Sequence, residues 1–361
     1  MLKDAVPLRE IARALVVKLR HHGDVLLAAP VLGALKAHAP TVEIDALVYD
    51  DTAALLAGHP ALAELHVVGR EWRTMPALAR LAAEWRLFAA LRARRYDLIV
   101  HLSEQPRGAW LARTLGARYS VAPDVAGRGA FWERSFTHLF ALVRNGRRHQ
   151  VELNLDALRR IGIQPAMEER RVQFVAGAAA EERIAALLSD HGLRERGYVH
   201  MHPASRWSFK CWPAEKNAEL IGRLADAGHR VVLSAAPEES ELAYIGEIER
   251  RARGDPVDLA GKLSIKELGA LAARARVFIG VDSMPMHLAA ALGTPTVALF
   301  GPSGEEEWRP WRVAHRVVTS SHPCRPCGND GCGGGKVSEC LTTLSVDEVH
   351  SAVRQLLSQG R

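Results

Sequence analysis

Apolar residues along this chain gather in short continuous runs, and stretches of helical spacing lie between them. Ala14–Leu19 is β-branched and too short for a helix, which predicts a strand buried on both faces. A loop, Arg20–Asp24, follows it. A helical pattern then extends from Val25 to about His38, with Pro30 marking either a kink or a first turn. Glu43–Tyr49 and Asp97–Leu102 read as further strands, separated by Arg- and Ala-rich helical stretches. From Ile163 to Ala180 the pattern breaks. Gln164-Pro165, the charged run Glu168–Arg171 and an Ala/Gly-rich run predict a linker there. Beyond it the alternation restarts, with strands expected at Tyr198–His202, Arg230–Ser234, Arg276–Gly280 and Thr296–Phe300. Helices are expected at Ala214–Ala227, Glu238–Arg251, Ser264–Ala273 and Met284–Leu292. Continuous apolar strands alternating with helices mean parallel sheets covered on both faces. The chain is therefore expected to be α/β, with two successive domains, 1–175 and 176–361.

Composition supports that picture: 361 residues, 48% of them apolar and 24% charged, suit two packed domains and exclude global disorder. The formal charge of +6 is concentrated. Between Arg70 and Arg160 stand 17 arginines, no lysine and 8 acids, a net of +9, which points to an anionic partner for the first half. A solvated Arg-rich helical surface would give the same count. No nucleic-acid partner is expected for that charge. No apolar run approaches the ~20 residues of a membrane span. The charged start, Met1–Glu10, lacks the apolar core of an export signal, so a cytoplasmic chain is expected.

Candidate chemistry sits after strands. Gly23-Asp24 follows the first one, at the edge where open α/β sheets bind ligands. Gly23 lets a substrate approach the backbone, and Asp24 can cap the helix or act as a base. This is not G-x-G-x-x-G, and a dinucleotide cofactor is not supported. In the second half, His202–Pro213 carries Ser205, Arg206, Ser208 and Lys210, hydroxyl and cationic donors suited to a phosphate. Gly280–Ala291 is again strand, turn and helix. Ser283, Met284 and Pro285 lie where free backbone N–H groups favour an anion, Asp282 could accept sugar hydroxyls, and His287 is expected one turn in, on the ligand side. A packed core histidine and a plain N-cap aspartate are the bland readings of His287 and Asp24. Cys324, Cys327, Cys332 and Cys340, spaced x2, x4 and x7, are compatible with a structural zinc site. No second C-x-x-C matches the first, so free thiols or facultative disulfides are the default.

Three of these runs together resemble a known family. Lys18-x4-Gly23-Asp24 after a strand, Lys210-x-Trp212-Pro213, and Asp282-Ser-x-x-x-His287 leading into Thr294-Pro-Thr-Val-x-Leu-Phe-Gly-Pro302 are similar to the heptosyltransferases of bacterial lipopolysaccharide core assembly, glycosyltransferase family 9. Phe209–Trp212 and the Cys-Gly-rich run Cys327–Lys336 resemble the heptosyltransferase III branch most. The resemblance spans about residues 14 to 345. It implies a GT-B fold, two Rossmann-like parallel-sheet domains facing across a cleft, the first binding the acceptor and the second the donor. It implies inverting, metal-independent transfer of L-glycero-D-manno-heptose from ADP-heptose to a heptose of the lipid A-core. The enzyme is then expected as a monomer, peripheral to the anionic inner face of the inner membrane, with no cofactor. By position, Asp24 resembles the catalytic base, Lys210 the diphosphate-binding lysine and Asp282 the acid that grips the donor heptose. Ser205, Ser283, Met284, Pro285 and His287 fall with the donor site, Glu239 near the ribose-binding acid, and Lys18 and Gly23 on the acceptor side. Met284-Pro285 departs from the family's turn, because proline removes one N–H. Arg92, Arg94, Arg95 and Arg118 are expected to contribute to membrane attraction. The alternatives are another GT-B transferase using a different nucleotide sugar on a polysaccharide or glycoprotein, and a nucleotide-sensing scaffold that has lost turnover.

Overall fold

The computed structural model describes residues 4–143 and 146–359. The first three residues of the charged start, positions 144 and 145 of the Arg-rich window, and the last two residues lie outside them. The described chain forms two compact units, Met1–Val175 and Ala176–Arg361.

Unit 1 is one parallel sheet of six strands in the order β3-β2-β1-β4-β5-β6. The strands are β1 Arg13–Val17, β2 Glu43–Tyr49, β3 Leu62–Val68, β4 Leu98–His101, β5 Tyr119–Asp124 and β6 His138–Ala141. Its helices are α1 His22–Leu26, α2 Ala29–His38, α3 Ala77–Arg94, α4 Pro106–Leu115, α5 Gly129–Glu133 and α6 Gln150–Arg160. The helical pattern expected from Val25 to His38 is two helices, because Pro30 sits in the first turn of α2, where its missing N–H costs nothing. Three strands escaped the sequence pattern. Of these β3 mixes exposed and half-buried positions, as an edge strand can, instead of forming a continuous apolar run. The unit's two ends meet: Val6 donates its N–H to Ile161 at 3.0 Å, and Asp4 pairs with Arg160 at 2.7 Å.

The segment expected as a linker divides. Residues 163–175 pack onto unit 1, with Ile163, Val172 and Phe174 buried and Glu169 paired with His38. From Ala178 onward the chain is helical, as α7 Ala178–Asp190, and Ala180 and Ile184 join the core of unit 2. Alanine is the best helix former, so the Ala/Gly-rich run propagates a helix once Gly177, at φ 89°, has turned the chain.

Unit 2 repeats the architecture, with strand order β12-β11-β10-β7-β8-β9. These are β7 Tyr198–His202, β8 Arg230–Leu233, β9 Val257–Asp258, β10 Val277–Val281, β11 Thr296–Leu299 and β12 His315–Val318. Counted from each unit's first strand, both sheets run 3-2-1-4-5-6, the doubly wound order. Each reverses direction between its first and fourth strands, at β1/β4 and at β7/β10. Helices α8 Ala214–Asp226, α9 Glu239–Arg251, α10 Ile265–Arg274, α11 Met284–Ala291, α12 Glu305–Trp308, α13 Glu339–Thr342 and α14 Val346–Gln359 complete the unit. Gly280 in β10 is required by packing, since a Cβ there would lie 2.7 Å from the Phe278 ring and 3.1 Å from the His202 carbonyl. No described helix is long and apolar enough to cross a membrane.

Candidate active site

In unit 2, two loops leave the sheet at the β7/β10 switch point. The first, after β7, is fixed by apolar anchors on either side of Lys210. Phe209 and Trp212 are buried, the Trp212 indole N–H donates to Leu344 O at 3.1 Å, and the Ser338 hydroxyl donates to Phe209 O at 2.7 Å. With its neighbours pinned, Lys210 reaches the second loop and donates from Nζ to Asp282 Oδ2 at 2.6 Å. Both side chains are largely shielded, so this is a short charge-assisted bond in a low-dielectric setting. The ammonium also lies 5.2 Å from the Trp207 ring centre, within cation–π range. Residues 72 positions apart thus form one charged centre where the strand ends converge.

Beside it, α11 begins. Ser283 is its N-cap in extended backbone, and no side chain caps the helix: the Ser283 hydroxyl donates instead to Val281 O at 3.4 Å. Pro285 lies in the first turn, buried, with no N–H to give. The helix N-terminus keeps its partial positive charge while offering one donor fewer. His287 departs from the ligand-facing placement expected for it. It is buried, its ring 6.2 Å from that of Trp308, because one turn in on this helix is already core. Ser205 is buried and its Oγ accepts from Trp207 N–H at 3.3 Å, tightening the loop. Glu239 is exposed, at the first position of α9. The buried acid of that turn is Glu241, which accepts from Ala236 N–H at 3.0 Å and whose carboxyl burial pushes up. The Glu-Glu-Ser-Glu register concealed this from sequence.

Unit 1 carries the equivalent β1/β4 switch point, and it is filled differently. Lys18, placed on the acceptor side by the sequence reading, is only 4% exposed. Its Nζ donates to Leu102 O at 2.9 Å and to Asn154 Oδ1 at 3.0 Å. Leu19 N–H donates to Ser103 Oγ at 3.0 Å across the same gap. Gly23 and Asp24 lie inside α1, where His21 is the N-cap, so Asp24 is a first-turn residue and caps nothing. Its carboxylate stays 12% exposed, 3.6 Å from Arg20 Nε. An open carboxylate at a strand end can take a proton from a hydroxyl brought within hydrogen-bond reach.

Near it opens a feature the sequence did not single out, a cavity of about 240 Å³ lined by Arg70, Arg73, Arg80 and Arg107 with Tyr49 and Trp72. The Arg70 guanidinium stacks 4.1 Å over Tyr49 and donates to Arg20 O, which ties this wall to the Asp24 segment. Glu84 neutralises Arg107 through two bonds of 2.6 Å. The signal for it was the Arg-rich window, which gave no hint of which arginines converge.

Several other arginines of that window are structural. Arg94, counted among the membrane-attracting residues, spends its guanidinium on Asp45, Glu43 and Glu64. Burial alone would raise the Asp45 carboxyl, but hydrogen bonds from His66, Arg94 and Tyr96 and the charge of Arg94 outweigh it and hold it far below the usual range. Asp45, Glu64 and His66 are also the one described group spaced to hold a metal ion, and the guanidinium already pairs with both carboxylates. Arg118 pairs with Glu10, and Arg92 donates to Thr114 O. Arg95 closes α3 in left-handed backbone at φ 53°. Among the described residues no three of the four sulfurs lie within 4.8 Å of one another, while Cys324, Cys327 and Cys332 are all near enough to act on the Cys340 thiol. Cys324, Cys327 and Cys332 are exposed and Cys340 is buried, all as free thiols.

Two successive doubly wound units of this strand order have the architecture of the GT-B fold. The glycosyltransferase family 9 (heptosyltransferase) model matches residues 84–337. The chain is 39% identical over 295 residues to lipopolysaccharide heptosyltransferase 3 of Escherichia coli, covering 81% of this chain and 84% of that protein. Among solved structures, the family 9 glycosyl transferase of Veillonella parvula superposes with a TM-score of 0.84 at 22% identity, over 99% of this chain and 100% of that one. The E. coli ADP-heptose lipopolysaccharide heptosyltransferase II gives 0.75 at 22% identity, over 96% and 99%. The chain belongs to glycosyltransferase family 9, the heptosyltransferases.

Proposed function

We propose that this enzyme transfers L-glycero-D-manno-heptose from ADP-heptose to a heptose of the lipopolysaccharide inner core, at the heptosyltransferase III step. The observation that carries the reading is the Lys210–Asp282 pair beside the uncapped start of α11. The acceptor hydroxyl oxygen bonds to the anomeric carbon as the bond to the ADP oxygen breaks, from the opposite face, so the configuration inverts. Asp24 takes the hydroxyl proton. Lys210 and the N-terminus of α11 meet the charge that grows on the departing diphosphate, and the reading gives no role to a metal. Asp282 holds the donor heptose through its hydroxyls, with Ser205, Ser283, Met284 and Pro285 shaping the same site and Glu239 reaching for the ribose. Binding the diphosphate would loosen Lys210 from Asp282 and free both groups for the donor.

On the acceptor side, the arginine-lined cavity of unit 1 supports an anionic substrate, as a phosphorylated or carboxylate-bearing core would be. The acceptor is anchored by lipid A, which puts the enzyme, as a monomer, at the cytoplasmic face of the inner membrane. Identity to the E. coli heptosyltransferase 3 supports the third-heptose step. Mass spectrometry of purified protein, ADP-heptose and a truncated lipooligosaccharide carrying two heptoses tests the whole reading. A gain of one heptose mass, abolished by Asp24→Ala, is expected. Transfer only to a shorter core would move the step, and turnover of a different nucleotide sugar alone would replace the donor.

A further inference from the structure

Unit 1 exposes an apolar surface that its own packing does not use. Along α3, Leu78, Leu81, Trp85 and Phe88 fall at i, i+3, i+7 and i+10, one continuous stripe of the helix. The residues α3 buries, Ala83 and Leu91, belong to a different face. Leu78 is 83% exposed, Leu81 66% and Trp85 67%, and on α4 Trp110 is 59% exposed. Between the two helices lies an open groove of about 300 Å³, walled by Leu81, Trp85, Phe88 and Trp110. Phe131 of α5 extends the patch, its ring centre 4.9 Å from that of Trp110. Together α3, α4 and α5 carry six arginines and two glutamates; with Arg107 paired to Glu84 and Arg94 to Asp45, four arginines and one glutamate are left.

An exposed patch of this size with aromatic content marks an interaction surface. Tryptophan set among leucines and ringed by arginine is the composition of a face that lies in the headgroup region of a bilayer. A second copy would meet the patch with itself, because a two-fold interface is self-complementary, and would set arginine against arginine. An anionic lipid surface turns the same charges into attraction.

We infer that α3, α4 and α5 form the membrane-docking face of this enzyme, with Leu78, Leu81, Trp85, Trp110 and Phe131 entering the interface of an anionic bilayer. The inference takes its purpose from the lipid-borne acceptor proposed above, but its test uses no substrate and can fail on its own. Full-length protein is sedimented with vesicles of phosphatidylcholine alone or with added phosphatidylglycerol, at low and high salt, and tryptophan quenching by brominated lipid is recorded. Binding that requires phosphatidylglycerol, weakens with salt and falls about tenfold or more in Trp85→Ser/Trp110→Ser is expected. Quenching should be lost in the same variant. Both positions are exposed, so the variant should keep its circular dichroism and thermal midpoint, and its transfer to a soluble, lipid-free core oligosaccharide should be unchanged. Equal vesicle binding by variant and wild type would overturn the assignment, as would failure of wild type to bind anionic vesicles at low salt. A wild-type dimer by light scattering that becomes a monomer in the variant would assign the patch to self-association instead.

Discussion

The two switch points share a topology and differ in what their lysines do. At β1/β4, Lys18 turns inward and spends its ammonium on a carbonyl and a buried amide, leaving Asp24 beside Arg20 instead. At β7/β10, Lys210 stays in the loop and faces Asp282, so cation and anion both stand at the strand ends. A lysine buried against neutral acceptors holds two strands' loops in register. A lysine paired with a carboxylate can exchange that partner for a diphosphate. The same doubly wound frame thus presents a carboxylate beside an arginine in one unit and a lysine–carboxylate pair in the other.

Four substitutions or titrations would break or sharpen that contrast. Asp24→Ala should lower turnover by ~10²–10⁴-fold with ADP-heptose affinity by calorimetry retained. Wild-type turnover would remove Asp24 from the chemistry. Lys210→Ala should cost ~10²–10³-fold in kcat/KM and weaken ADP binding as well, since it acts on the leaving charge. Unchanged ADP affinity would erase the difference between the two lysines. Lys18→Met should instead lower stability by ~1–3 kcal/mol in urea unfolding, by taking the donor from Leu102 O and leaving Asn154 Oδ1 only the long bond from Gln150, while the folded enzyme keeps its kcat. A kcat that collapses without a change in stability would return Lys18 to the active site.

The switch points also resemble each other in burying neutral imidazoles. Burial lowers His101 of β4 and His200 and His202 of β7 to about 3, and the Ser234 hydroxyl bridges the latter two at 2.7 and 2.8 Å. Unfolded histidine takes a proton near pH 6.5, so the unfolded state binds more protons between there and the folded values. Stability should be full above about 6.5 and fall steadily as pH drops toward 3. Thermal midpoints taken between about pH 7 and pH 4.5, above the carboxylate range, check the sign. The smallest effect concerns the loop beside Lys210. Burial pushes the Cys211 thiol up to about 12, so brief alkylation at neutral pH should label Cys324, Cys327 and Cys332 and spare it in a peptide map.

Much of this frame was legible in advance, for a physical reason. Strands buried on both faces are mostly apolar, and β1, β10 and β11 announce themselves that way. Edge strands need not, and β3 and β12 passed unseen. Asp24, Lys210 and Asp282 were readable because each follows a recognisable strand, which places it at the ligand edge whatever its partner. Partners were the hidden part. Asn154 stands 136 residues from the lysine it receives, and Glu84 and Arg107 meet from separate helices. Nothing local distinguishes an arginine that lines a cavity from Arg94, which neutralises Asp45.

The closure of unit 1 on itself bears on how the chain is made. Emerging from the ribosome N-terminus first, β1 waits beside β2 with one edge open until His101 of β4 has been synthesised. The segment around Asp4 and Val6 gains these anchors only when His138, Arg160 and Ile161 follow. Once residue 175 is out, every strand of that sheet has its neighbours, and none of them has to wait for the second half of the message to be translated.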